Sequence, residues 1–535
     1  MLMMKLRKIL MLSAFAIVII SGCKKNKVTP GVVTPDPVTP PVTATRAELT
    51  KDSIFLYAKQ VYLWNDKLPT YEVFKPRRFS SSTTNLNNYD EELFEISKYS
   101  NPYEYKAGYL EPKYSYIFDK ANQNPTASIK ETSSVDLDGN GNDLGVRLGF
   151  YGTDANFTTY VTAVYQGSPA ETAGVLRGFM VTKINGTSYG TNFTANRAAI
   201  STALSATTIK LEGLKSDGTS FNVTLVKSVF KSSPIYKAKV FTAGTKKIGY
   251  LAYARFAALS NPSTVSPSDV YFDPIFADFA AKGVTDLVID LRYNGGGYVQ
   301  TAQYLINLIA PSTVSGVMFT EHYNSTMQAG SANILANQPL LDANNKIRYQ
   351  NGRMLTYADI NYTVAGNTEI FEKKGSLSGV KSIVFIVSSN TASASELVIN
   401  SLKPHVSVQL VGLTTYGKPV GFFPVTIENK YEVYFSMFET KNSLGQGAYY
   451  DGLVPNITGP EVPAGTIMYD FGDTNDDYLK KAINLIAPGS TATSKAKTMT
   501  AKQEEYAAPS SAVITTDISD REFKGMIENR FKIKN

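Results

Sequence analysis

The sequence predicts a multidomain protein of mixed class: a small helical N-terminal domain, a β-rich domain, and an α/β core. Three observations carry this. From Arg46 onward, runs such as Ile54-Phe55-Leu56-Tyr57 and Val61-Tyr62-Leu63-Trp64 place apolar residues at helical spacing. Between about 126 and 232, short strand-like runs alternate with Gly, Asn and Pro turns. From about 236, buried-strand patterns alternate with helical ones, as in an α/β core. The 535 residues correspond to about three to four domains, and a composition of 43% hydrophobic, 19% charged and 11% aromatic residues is that of folded protein.

The N-terminus carries a basic stretch (Lys5, Arg7, Lys8) and then an apolar run from Ile9 to Ile20, too short for a comfortable bilayer span. It ends in Ile20-Ser21-Gly22-Cys23, which resembles the lipobox of bacterial lipoproteins. The resemblance implies a signal peptide over 1–22, diacylation of Cys23, and a lipid-anchored, periplasm-facing protein of the cell envelope. An ordinary signal peptide and an uncleaved anchor are the alternatives. Residues 23–45, rich in Pro, Thr and Val, read as an extended tether. Cys23 is the single cysteine, so neither a disulfide nor a thiol nucleophile is expected. Only His322 and His405 are available as imidazoles, which argues against a His-built zinc site, and no metal or cofactor is expected. The net charge is +7 with no run of five basic residues, so nucleic acid is not implied; Lys24, Lys25 and Lys27 read as a solvated or headgroup-facing patch.

The helical domain is expected over 46–125, with Trp64, the one tryptophan, as a packing anchor rather than a ligand platform. In the β-rich domain, expected over 126–232, Asp136-Leu137-Asp138-Gly139-Asn140-Gly141 looks like the start of a calcium loop. Its twelfth residue is Arg147 where a bidentate Glu is required, so a hairpin turn is the better reading. Leu144 to Phe150, then Gly167-Ser168-Pro169-Ala170 and Ile184-Asn185-Gly186, resemble in their order a circularly permuted bacterial PDZ domain. The resemblance implies that the backbone of Leu148, Gly149 and Phe150 holds a peptide carboxylate while the peptide adds a strand to the sheet edge. Phe179 stands where that family has Asp after Arg-Gly. A PDZ-shaped spacer that binds nothing is the other reading.

The α/β core is expected over 236–490. The strand ending at Leu291-Arg292 leads into Tyr293-Asn294-Gly295-Gly296-Gly297 and then a helix, so the glycines let backbone N–H groups approach a ligand. No Walker lysine follows, which leaves a nucleotide loop weak. A later strand, Lys381 to Ser388, runs into Thr391-Ala392-Ser393-Ala394-Ser395-Glu396 and a helix through Lys403. Ser393 at that turn is poised near a positive helix end, but Ser393-x-x-Glu396 is also a capping box, which taken alone is the favoured reading. The strand Val408–Gly412 then leads to Thr415-Tyr416-Gly417-Lys418. Strand–helix–strand connectivity brings the two turns together, and a buried, neutral Lys418 would be able to take the Ser393 proton.

With these motifs in order, the chain from about 126 to 460 resembles the S41 family of tail-specific, C-terminal-processing peptidases. The resemblance implies a ClpP/crotonase-like core and acyl transfer on unfolded or C-terminal peptide segments. It assigns Ser393 as nucleophile, Lys418 as base, and Ala394 with Gly295 or Gly296 as the oxyanion hole; Asp451 to Ile457 matches the family's closing segment. Two departures stand out: Phe422 where members often have a Gln four residues after the lysine, and Pro404 where others have an Asp eleven after the serine. Glu396 is the remaining assisting candidate. The competing function is a noncatalytic lipoprotein that uses the same fold to bind peptides or glycans. Residues 491–535 read as a tail, helical near Asp517 to Lys532 and without an assigned role. Substrate identity and oligomeric state leave no signature in the sequence.

Overall fold

In the computed structural model, residues 43–122, 135–263, 265–342, 345–490, 499–515 and 523–534 are described. The expected signal peptide, Cys23 and most of the tether lie outside them.

Helix α1 (Arg46–Val61) begins at a capping box: the Glu48 carboxylate accepts from Thr45 N–H at 2.8 Å, and Thr45 Oγ1 accepts from Glu48 N–H at 3.3 Å. With α2 (Asn85–Lys98) it buries Ile54, Phe55, Ala58, Leu93 and Ile96. Trp64 is buried and stacks on Tyr103 with ring centroids 5.5 Å apart. These side chains share one apolar cluster with Leu251, Leu287 and Phe385 of the later core. Strand β1 (Tyr116–Asp119) strengthens that junction, because it pairs antiparallel with a strand over Tyr431–Tyr434.

From Val146 to Val226 the chain folds on a second apolar cluster, built on Phe150, Phe157, Phe179, Ile200 and Leu211. Its strands are β2 (Val146–Gly152), β3 (Phe157–Val164), β4 (Met180–Ile184), β5 (Thr208–Leu214) and β6 (Ser220–Val226), with α3 (Phe193–Ser205) between β4 and β5. They pair in that order, β2-β3-β4-β5-β6. The Asp136 segment is a tight turn in which Asp136 Oδ1 accepts from Asn140 N–H at 2.8 Å and Gly139 takes φ +89°, a conformation that favours glycine.

The α/β core follows: β7 (Ile235–Ala243), β8 (Lys246–Tyr253), α4 (Phe272–Ala281), β9 (Asp286–Asp290), the short β10 (Gly296–Tyr298), α5 (Val299–Ile309), β11 (Ser382–Val387), α6 (Ala394–Leu402), β12 (Ser407–Gly412), β13 (Val420–Gly421), β14 (Tyr431–Tyr434), β15 (Ile457–Thr458) and α7 (Asp477–Ile486). Its central sheet runs β7-β8-β9-β11-β12-β15, with β7 antiparallel and the rest parallel. Both faces are covered, which explains the unbroken apolar runs of these strands. Leu287 and Ile289 face the cluster that contains Leu305 and Val398, while Val288 faces Tyr478 and Ile483 of α7.

Two further strands come from the C-terminal stretch: β16 (Val513–Thr515), which joins the edge of β2, and β17 (Gly525–Ile527), which pairs in parallel with β10. The expected helix near Asp517–Lys532 is therefore corrected within 523–532, where the chain is extended; the rest of that expectation lies outside the described residues. Gly525 is a poor helix former, and both strand partners offer this stretch backbone hydrogen bonds instead. No helix among the described residues is long and apolar enough to cross a membrane.

Candidate active site

The carboxyl ends of β9, β11 and β12 carry the glycine loop, Ser393 and Lys418 respectively, the edge where open parallel sheets place ligands. After β11, the turn is fastened to the end of β9. Thr391 Oγ1 donates to Leu291 O at 2.7 Å, Ala392 N–H to Asn294 O at 3.1 Å, and Ser395 Oγ to the same carbonyl at 3.0 Å. Ser393 is fully buried at φ 60°, ψ −108°, a conformation L-residues avoid at a cost of about 1–3 kcal/mol. The surrounding bonds hold it there, immediately before the N-terminus of α6.

Glu396 joins the two turns. Its Oε2 accepts from the backbone N–H of both Ser393 and Lys418 at 2.8 Å, and its Oε1 accepts from Gly417 N–H at 2.8 Å and from the Thr415 hydroxyl at 2.5 Å. Ser393 N and Lys418 N thus meet at one carboxylate oxygen. Burial pushes the Glu396 carboxyl above its ordinary range, while the four donors pull it back. The capping box read from Ser393-x-x-Glu396 is present, and the same carboxylate reaches further, to Thr415, Gly417 and Lys418, bracing the Ser393 turn against the Lys418 turn.

Lys418 is buried, and its Nζ donates to Tyr114 O at 3.1 Å and Lys524 O at 2.7 Å. Burial, opposed by Glu104 and Glu396, lowers its amine to a pKa of about 7. The Phe422 ring lies 4.4 Å from Nζ, so an aromatic face occupies the position where a glutamine was the comparison. The Ser393 hydroxyl donates to Val420 O at 3.5 Å, two residues beyond Lys418.

Sequence reasoning missed Glu104 and Tyr114. Glu104 accepts from Tyr114 N–H at 3.2 Å, Ser115 N–H at 2.5 Å and Tyr62 Oη at 2.8 Å, which fixes the Tyr114 carbonyl facing the lysine. No local signal marks this role, because the group that meets Lys418 is a backbone carbonyl.

The glycine loop is held by a buried ion network. Arg292 contacts Asp290 at 2.8 Å, Asp476 at 2.9 Å and Glu461 at 3.1 Å, and Arg177 reaches the same Glu461 at 2.8 Å. Burial would raise the Asp476 and Glu461 carboxyls, but the two guanidiniums outweigh it and hold both below their ordinary values. A Cβ on Gly296 would lie 3.1 Å from Ala394 N, so this loop and the start of α6 share one small space. The Gly296 N–H donates to Asn294 Oδ1 at 2.9 Å, so of the expected oxyanion donors this one is satisfied within its own loop.

Leu148, Gly149 and Phe150, expected to cradle a peptide carboxylate, lie inside β2 and are paired with β3. The free edge of that strand carries β16, with Val513 opposite Tyr151 and Thr515 opposite Phe150. Among the described residues, no group of three or more His, Cys, Asp or Glu side chains is placed to hold a metal ion.

Residues 247–458 match the profile of peptidase family S41. The α/β core is therefore similar to the S41 peptidase family over that stretch. Over 309 residues the chain is 22% identical to the carboxy-terminal processing protease CtpA of Bacillus subtilis (strain 168), covering 58% of this chain. It spans about half the length of that curated relative, 52%. A crystal structure named for an S41 protease from Bacteroides fragilis NCTC 9343 superposes with a TM-score of 0.51 at 19% identity, covering 84% of this chain and 98% of that one. The chain is thus a multidomain mixed α/β protein with the fold of S41 protease structures, and it is similar at a distance to a C-terminal processing protease.

Proposed function

We propose that the chain is a serine endopeptidase of the C-terminal-processing type, acting on unfolded or C-terminal peptide segments through Ser393 and Lys418 on a ClpP/crotonase-like core. The observation that carries this is the Glu396 clamp: one carboxylate ties a strained serine at a helix N-terminus to a buried lysine whose amine titrates near 7. In the reaction, Ser393 Oγ attacks the scissile carbonyl carbon while its proton passes to neutral Lys418 Nζ. The oxyanion is met by Ala394 N–H and the backbone of the glycine loop. Lys418 then gives its proton to the leaving amine as the C–N bond breaks. Water, deprotonated by the same amine, hydrolyses the acyl ester and restores Ser393. The PDZ-like segment around β2 delivers the peptide, and diacylated Cys23 with the 23–45 tether holds the enzyme on the bacterial envelope, facing the periplasm.

One observation favours a second reading, a noncatalytic peptide- or glycan-binding lipoprotein. The Ser393 hydroxyl and the Lys418 amine each donate to backbone carbonyls. Cleavage of a disordered reporter by the purified protein, lost in Ser393→Ala, supports the enzyme. Equal cleavage by both proteins removes Ser393 from the mechanism, and cleavage by neither favours the binder.

A further inference from the structure

The segment from Phe523 to Glu528 runs through the site just described. On one side Gly525–Ile527 pairs in parallel with Gly296–Tyr298, and Gly525 N–H donates to Gly295 O at 2.9 Å. On the other side Phe422 N–H donates to Met526 O at 3.0 Å, and Glu528 N–H donates to Phe422 O at 2.9 Å. An extended backbone is therefore inserted between the glycine loop and the stretch that follows Lys418, hydrogen-bonded to both. Its Lys524 carbonyl takes the Lys418 amine at 2.7 Å. A Cβ on Gly296 would lie 2.2 Å from Gly525 O and 3.1 Å from Ala394 N, so the Gly525 carbonyl sits in the space that the glycine loop shares with the first N–H of α6.

The slot is selective. A Cβ on Gly525 would be 2.4 Å from Phe422 Cζ and 2.8 Å from Phe523 Cζ, whereas the next residue, Met526, is fully buried. Beyond it the chain is latched. Arg530 pairs with Glu321 at 2.7 Å, Asn361 N–H donates to Lys532 O at 2.8 Å, and Lys534 N–H donates to Asp359 O at 2.8 Å.

We infer that Phe523–Glu528 is an intramolecular occupant of the substrate slot: it holds the peptidase closed, and it displays the ligand class the slot accepts, an extended peptide with glycine against Phe422 followed by a methionine-sized apolar residue. The inference rests on the peptidase reading above for what the slot is used for. Strand addition between two existing edges supplies affinity through main-chain bonds, and the two flanking side-chain positions supply selection. A tethered segment acts at an effective concentration of about millimolar, enough to keep such a slot filled.

The test uses the full chain with Gly525→Trp, which Phe422 and Phe523 leave no room for, and a second protein ending at residue 522. A fluorophosphonate probe reads Ser393 reactivity. Both proteins are expected to label at least about tenfold faster than the unaltered chain. A synthetic peptide of residues 523–534 slows them again, and the same peptide carrying Gly525→Trp does not. Equal labelling of all folded forms overturns the inference; if the shortened protein does not fold, the Gly525→Trp chain decides. If no form labels, the peptidase reading fails and the slot is judged by fluorescence anisotropy. The dye-labelled 523–534 peptide must then bind the Gly525→Trp chain and not the unaltered one, and absence of that difference overturns it.

Discussion

Replacing Glu396 by Gln tests how the two halves of the site are held together. The carboxylate accepts three backbone N–H bonds at 2.8 Å and the Thr415 hydroxyl. An amide of the same shape keeps one oxygen and presents an NH₂ group on the other side. Turned to Oε2, the NH₂ would oppose the N–H groups of Ser393 and Lys418, which have no other acceptor role to adopt. Turned to Oε1, it opposes Gly417 N–H, while the Thr415 hydroxyl can rotate to accept. The second arrangement costs less: one charge-assisted bond lost, one buried N–H left facing a donor, and the remaining bonds weakened from ionic to neutral. At about 1–3 kcal/mol for each unsatisfied or lost charged bond, the variant loses about 2–4 kcal/mol. Glu396→Ala, which strands all four donors, loses more. Urea unfolding gives the stability difference, and fluorophosphonate labelling gives the effect on Ser393. The expected result for Glu396→Gln is reduced stability together with slower labelling, because the same bonds hold both turns. A Glu396→Gln protein within about 0.5 kcal/mol of the original and labelling at the same rate would refute the clamp.

Three other outcomes follow from the structure. Lys418, with its amine at about 7, should give a kcat/KM for reporter cleavage that rises with pH through that value as the neutral base accumulates; a profile unchanged by Lys418→Met would assign the base elsewhere. The unfolded lysine titrates near ~10.4, so between about 7 and that value the unfolded chain binds more protons and the burial penalty of Lys418 fades as pH rises. Lys418→Met should therefore stabilise the protein most below pH about 7, read by urea unfolding at two pH values; a gain larger at high pH would contradict the sign. Asp476→Asn removes one carboxylate from between buried Arg177 and Arg292 and should cost about 3–5 kcal/mol in the same assay, and a neutral result would show that the network is not strongly coupled.

Much of the core was legible because its physics is local. Leu287 to Ile289 and Ile383 to Val387 are unbroken apolar runs, as strands covered on both faces must be. The glycine loop, Ser393 and Lys418 sit at the ends of such strands, so connectivity alone brings them together. The roles that escaped are those in which a distant backbone does the work. The partners of Lys418 Nζ are the carbonyls of Tyr114 and Lys524, which any residue could supply. Glu396 was legible as the capping-box partner of Ser393, but its contacts with Thr415, Gly417 and Lys418 were not, since a carboxylate three residues after a serine reads the same whether it caps one helix or clamps two turns. Leu148 to Phe150 were read from motif order, while the pairing of their strand with β3 and with a segment more than three hundred residues later left no local signal. The tail misled for a related reason: a stretch of five residues around Gly525 has no periodicity long enough to separate strand from helix, and its conformation is dictated by the two edges it enters.

The central claim is that Ser393 is a nucleophile activated by Lys418. Intact-mass analysis after fluorophosphonate treatment, with the adduct mapped by peptide sequencing, tests it most directly. The account predicts one adduct, on Ser393, formed faster as pH rises through about 7 and absent from Ser393→Ala and Lys418→Met. An adduct on any other residue, or on Ser393 at an undiminished rate in Lys418→Met, would contradict it.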